Sequence, residues 1–135
     1  MKRKFEKILE NWKNNSKLPL MVVGVRQIGK TYIVDKFCKE NYINYIYINL
    51  ENEEKIYNVF EQTLKPDEIS KQIKLILNVD IDENTVIFFD EIQCSERAIT
   101  SLKYFAESDF KYNIICAGSL LGVKINRFKS SFPVR

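Results

Sequence analysis

The sequence predicts an α/β protein three layers deep, with helices covering both faces of a mostly parallel sheet. Three observations carry this. Short uncharged apolar runs recur at 18–23, 42–50, 86–89 and 112–117, as strands buried on both faces require. Segments of helical period separate them, so the strands should be joined by right-handed crossovers. Glycines, hydroxyls and acids follow the strands directly, and open α/β sheets bind ligands beyond the carboxyl ends of their strands.

Residues 3–13 should open the chain as an amphipathic helix, because Phe5, Ile8, Leu9 and Trp12 fall on one face. A polar break at 14–17 leads to the first strand, 18–23, with Pro19 at its start, where a missing N–H is tolerated. Residues 30–40 read as a helix with Ile33, Val34 and Phe37 on one side. Residues 42–50, rich in β-branched and aromatic side chains, read as the second strand. The helical pattern of 53–77 breaks at Pro66, and Asp67 and Glu68 behind it suit the first turn of a new helix. An acidic loop at 80–84 precedes the third strand, 86–89. A helix over 95–108 follows, with Ser95 as N-cap and Ile99, Leu102, Phe105 and Ala106 periodic. The fourth strand spans 112–117.

The chain has 135 residues, 45% hydrophobic and 29% charged. These values fit one globular domain over 1–135, with 1–17 as helix and linker and 118–135 as a basic tail. Histidine is absent, which excludes histidine-based acid–base catalysis, Ser-His-Asp and Cys-His nucleophiles and histidine-ligated zinc. Chemistry must run on carboxylates, Lys, Arg, hydroxyls and backbone amides, with or without an ion. Cys38, Cys94 and Cys116 form no C-x-x-C and read as reduced core thiols. The basic start is not followed by an apolar run, and the longest charge-free stretch, 112–123, is too short to span a bilayer. The expected location is cytoplasmic, with no membrane partner. Net charge is +3 but uneven: residues 1–17 and 118–135 are basic and 51–91 strongly acidic. Basic ends suit a protein or nucleic-acid partner; a solvated lysine-rich surface is the simpler reading.

After the first strand, Gly24, Val25, Arg26, Gln27, Ile28, Gly29, Lys30 and Thr31 match G-x-x-x-x-G-K-[ST] in full. A tight loop entering a helix turns successive N–H groups inward as an anion nest, and the helix dipole adds positive potential. Gly24 and Gly29 permit close backbone approach. Lys30 would reach the β- and γ-phosphates, and Thr31 would coordinate Mg²⁺. Only four glycines occur in the chain, and two fall at the required positions of this motif.

The third strand ends in Asp90 and Glu91. Buried strands often end in a solvated carboxylate, so the pair gains its meaning from the phosphate loop. Asp90 would then hold the Mg²⁺ shell beside Thr31, and Glu91 would orient or deprotonate the attacking water. A GTPase D-x-x-G switch is excluded because Gln93 stands where glycine is needed, and no N-K-x-D occurs. ATP is therefore expected rather than GTP. Gln93 either helps to place water or relays the γ-phosphate state to the following helix, or is a polar helix-entry residue. Gly118 and Ser119 follow the fourth strand, where the Ser119 hydroxyl can contact the γ-phosphate and the water; a plain Gly-Ser turn is the alternative reading.

In order along the chain, residues 20–31 (LMVVGVRQIGKT), 47–51 (YINLE), 88–93 (FFDEIQ), 117–121 (AGSLL) and 131–134 (SFPV) together resemble the AAA-type ATP-binding proteins of bacteria and archaea. The resemblance implies a P-loop ATPase fold. It assigns Lys30 and Thr31 to nucleotide and metal, Asp90 to Mg²⁺, Glu91 to water and Ser119 to the sensor position. Members of that family continue into a fifth strand beside the first, a helical lid and a C-terminal domain. This chain looks truncated by comparison. The expected consequences are self-association through the edge of the first strand and ATP binding with slow or no turnover. No arginine finger is assignable; Arg26, Arg97, Arg127 and Arg135 are candidates by elimination. The alternative function is a nucleotide-dependent module that binds protein or nucleic acid without hydrolysis. A small-molecule kinase is disfavoured, since nothing resembles an acceptor pocket.

Overall fold

A computed structural model describes residues 2–16, 18–24 and 28–119. Helix α1 (Lys2–Asn15) leads to β1 (Leu20–Gly24), then α2 (Ile28–Asn41), β2 (Asn44–Asn49), α3 (Glu54–Gln62) and α4 (Pro66–Leu77). Strand β3 (Thr85–Asp90), a 3₁₀ turn (Ile92–Cys94), α5 (Glu96–Glu107) and β4 (Asn113–Ser119) complete them. The expected α/β alternation is therefore present, and its four strands form one sheet in the order β1-β4-β3-β2, every pairing parallel.

Alternation along each strand builds two cores. Leu20, Val22, Val86, Phe88 and Ile115 face α1 and α2, where Phe5, Leu9, Trp12, Val34 and Phe37 cover them. Met21, Val23, Ile46, Ile48, Ile87, Phe89, Ile114 and Cys116 face the layer of α3, α4 and α5. Successive strand side chains point to opposite faces, so these two sets define the three layers. Among the described strands the first stands at the end of the order, yet Leu20 through Val23 are all buried. The loop residues Val25, Arg26 and Gln27, the stretch 120–135 with Arg127 and Arg135, and the Lys30 side chain lie outside what is described.

Local chemistry sets the boundaries. The N–H of Tyr42 bonds to Cys38 O at 3.2 Å and completes α2, so β2 begins at Asn44 rather than at 42. Helix α4 starts on Pro66, carries Asp67 and Glu68 in its first turn and ends at Asn78, whose φ of 55° is left-handed; asparagine tolerates that conformation better than most residues. Thr63 Oγ1 donates to Glu68 Oε1 at 2.6 Å and accepts the Lys65 N–H at 3.1 Å, which fixes the α3–α4 turn. Ser95 Oγ accepts the Ala98 N–H at 3.0 Å and caps α5 as expected.

One expectation needs correction. Cys38 and Cys116 are buried, but Cys94 is exposed because it closes the 3₁₀ turn rather than facing a core. Arg97 is tethered: its Nε donates to Phe60 O at 2.5 Å, tying the start of α5 to the end of α3. Among the described residues, no helix is long and apolar enough to cross a membrane.

Candidate functional site

The parallel sheet brings the carboxyl ends of β1, β3 and β4 to one edge. Gly24 pairs with Ser119 across β1 and β4, and Phe89, one residue before Asp90, pairs with Cys116. Counting by twos from Val86 and Phe88 puts Asp90 on the α2 face, and counting from Ile115 and Ala117 puts Ser119 there too. The helix that begins within the phosphate motif therefore lies on the same side of the sheet as the first carboxylate. Ile28, Gly29, Lys30 and Thr31 form its first turn, as an anion-binding helix start requires.

Asp90 is 8% exposed, and each of its oxygens accepts one bond. Oδ1 accepts the Glu91 N–H at 2.9 Å, and Oδ2 accepts the Tyr47 O–H at 2.6 Å. Tyr47 pairs in register with Phe88, two residues before Asp90, and their rings meet edge to face at 5.4 Å. Burial, then the bond to Asp90, push the Tyr47 phenol well above its ordinary pKa, so it is a committed donor at neutral pH. Its strand neighbour Tyr45 lies on the same face and donates to Asp35 Oδ1 at 2.7 Å, and Asp35 also pairs with Lys39 at 3.0 Å.

Glu91 is left-handed, with φ 51° and ψ 46°. That conformation costs a non-glycine residue roughly 1–2 kcal/mol and turns the chain from strand into 3₁₀ turn within one residue. Gln93 Nε2 donates to Glu91 Oε1 at 2.6 Å, while Gln93 Oε1 accepts the Ser119 N–H at 3.3 Å. One amide thus joins the second carboxylate to the end of β4.

The donor set fits magnesium. Asp90 retains lone pairs beyond the two that are used, and Thr31 offers a hydroxyl. These are hard oxygen donors, and Mg²⁺ is ordinarily held by one or two protein oxygens together with phosphates and waters. Among the described residues, no group of three or more His, Cys, Asp or Glu could cage a metal unaided. A different cavity, about 180 Å³ and lined by Lys13, Tyr42, Asn84, Lys111 and Asn113, opens where the strands begin and contains none of the expected site residues.

The structure thus brings together Asp90, Glu91, Gln93 and Ser119, with Thr31 on the helix of the same face. Tyr47 is the partner that the sequence did not reveal. The signal was present as two tyrosines, 45 and 47, two apart on a strand and hence on one face.

Comparison with known proteins gives three findings. The family model described as an AAA domain matches residues 16–135. No curated protein matches the chain. Among solved structures, that of C. elegans PCH-2 aligns with a TM-score of 0.52 at 16% identity, over 99% of this chain and 37% of that one. This likeness is one of fold, and the chain spans little more than a third of that structure's length.

Proposed function

Because the chain belongs to the AAA domain family, whose function is nucleotide binding of the ATPase kind, we propose that it binds Mg-ATP at the carboxyl edge of its sheet and hydrolyses it slowly. The observation that carries this reading is the tethered carboxylate pair. Asp90 and Glu91 are each held by a specific donor, on the strand end that shares an edge with the start of α2.

In this reading the N–H groups of the loop and of the first turn of α2 cradle the phosphates, and Lys30 adds its ammonium charge to the γ-phosphoryl group. Thr31 and Asp90 hold Mg²⁺, which when bound neutralises charge on the phosphate oxygens. Glu91 orients the attacking water and accepts its proton. Ser119, bonded through its N–H to Gln93, supplies the polar contact at the end of β4. Catalysis is then mainly positioning and electrostatics. An arginine supplied to the γ-phosphate is worth roughly 10³–10⁵ in rate in related phosphoryl transfer. Arg97 spends its Nε on Phe60 O, and turnover without an arginine at the γ-phosphate should be slow.

Calorimetry with ATP and Mg²⁺ on the wild type, Lys30→Ala and Glu91→Gln tests the reading. Saturable binding that Lys30→Ala removes, with hydrolysis that Glu91→Gln abolishes while sparing binding, supports it. Binding with hydrolysis at background in every chain would favour the nucleotide-dependent binding module. A flat trace from folded wild type would refute the site.

A further inference from the structure

The Tyr47–Asp90 contact joins a half-exposed residue of the strand at one end of the sheet order to a buried carboxylate on its neighbour. Tyr47 is 44% exposed, and its ring meets Phe88 edge to face. Its oxygen sits 2.6 Å from Asp90 Oδ2, within the range for a hydroxyl meeting a carboxylate. The other Asp90 oxygen is held by the adjacent amide. Two donors on two different oxygens fix the plane of a carboxylate, because rotation about its last torsion would break both bonds.

We propose that Tyr47 is a positioning residue: its O–H, together with the Glu91 N–H, holds the Asp90 carboxylate at a fixed angle for a nucleotide-bound magnesium ion. This deepens the Mg-ATP reading and rests on it. Magnesium demands near-octahedral geometry and gives up water reluctantly. A carboxylate that meets the ion or its waters works best when it is already oriented, since ordering a free rotor at binding weakens the complex. Phenylalanine at 47 would keep the edge-to-face contact with Phe88 and lose the donor to Asp90, together with the phenol's contact with Asn49. Tyr45 provides the internal comparison. It makes a phenol–carboxylate bond of nearly equal length on the same strand and face, but to Asp35, a full turn beyond Thr31 on α2.

The test measures ATP affinity by calorimetry on the full chain, with Mg²⁺ and with the ion chelated, for the wild type, Tyr47→Phe and Tyr45→Phe. Circular dichroism melts accompany each chain to establish that it is folded. The expected result is that Tyr47→Phe lowers the magnesium-dependent gain in affinity on the order of tenfold, the scale of one hydrogen bond to a charged group. Its affinity for metal-free ATP should stay within about twofold of wild type, on the same reasoning. Tyr45→Phe should keep the full gain, although its stability falls. A purely structural role for Tyr47 would lower the melting temperature and leave the magnesium gain intact, and that result overturns the assignment alone. Absence of ATP binding by folded wild type in both buffers would remove the nucleotide reading and the assignment together.

Discussion

Gln93 gives its Nε2 hydrogen to Glu91 Oε1 at 2.6 Å and takes the Ser119 N–H on its own Oε1 at 3.3 Å. The amide can face only one way, because a carboxylate needs a donor opposite it and an N–H needs an acceptor. Movement at the end of β4 therefore acts directly on the carboxylate expected to handle water. Gln93→Ala should lower ATP turnover by about tenfold, the scale of one charged hydrogen bond, while the calorimetric affinity for Mg-ATP barely changes. Gln93→Glu replaces the donor with a second acceptor against Glu91 and should lower turnover further. Parallel losses of affinity and turnover in Gln93→Ala would show that the amide serves binding, not the water.

Much of this was legible because periodicity and turn chemistry are local. The apolar runs located the four strands of the described residues, and Ser95 and Pro66 marked the helix starts where the structure has them. The order β1-β4-β3-β2 of the described strands sets the first of them at the end of the row and brings Gly24 of the phosphate motif beside Ser119, a relation that no local signal reports. The contacts of Tyr47 and Arg97 were hidden for the same reason. Each spans 37 or more positions of sequence, and a tyrosine in a strand or an arginine on a helix has the same local pattern whether or not it is tethered. Cys94 was misjudged because the 3₁₀ turn after Glu91 follows from one left-handed residue, and glutamate gives no warning of that conformation.

The Arg97 tether makes a prediction about stability rather than chemistry. Its Nε satisfies Phe60 O at the last turn of α3, where helix carbonyls lack partners within the helix. Arg97→Ala should destabilise the chain by about 1–3 kcal/mol, the cost of a lost charged bond and a stranded carbonyl. Arg97→Lys should recover only part, because an ammonium does not reproduce the guanidinium geometry. Urea melts read both values. An Arg97→Ala chain with an unchanged midpoint would show that solvent replaces this contact.

The thiols make a prediction about pH. Burial, with the Asp35 charge adding to it, pushes Cys38 from 9.0 up to about 12, and burial alone raises Cys116. Both folded values exceed those of the unfolded chain, so the unfolded chain loses its thiol protons first as pH rises. The stability these groups contribute is complete below about pH 9 and is lost as pH climbs towards 12. Tyr42, Tyr45 and Tyr47, raised first by burial, act in the same direction above pH 10. The urea midpoint should therefore fall between pH 8.5 and 11, about these thresholds, and Cys38→Ala should fall less steeply. In native chain at neutral pH a thiol reagent should label Cys94 alone, with all three labelled after unfolding. Rapid native labelling of Cys38 would contradict its burial.

Helix α1 lies ahead of residue 16, where the family match begins, yet it is part of the core. Trp12 is 5% exposed, packs in the cluster with Leu20, Val34 and Phe88, and donates from Nε1 to Leu18 O at 2.7 Å. Leu18 precedes Pro19, and a residue before proline is held extended, so the indole grips the chain where it straightens into β1. Trp12→Ala should cost about 3–5 kcal/mol through lost burial and the cavity left behind. Trp12→Phe should cost less, about 1–3 kcal/mol, because the ring still fills space while the Leu18 carbonyl loses its donor. Trp12 is the sole tryptophan, so circular dichroism rather than fluorescence must follow these melts. Should Trp12→Ala unfold within about 0.5 kcal/mol of wild type, the range of ordinary surface changes, α1 would be an appendage rather than the cover of this face. Since β1 leads directly into the phosphate motif, a large loss would instead mean that the strand carrying that motif depends on a helix outside the matched region.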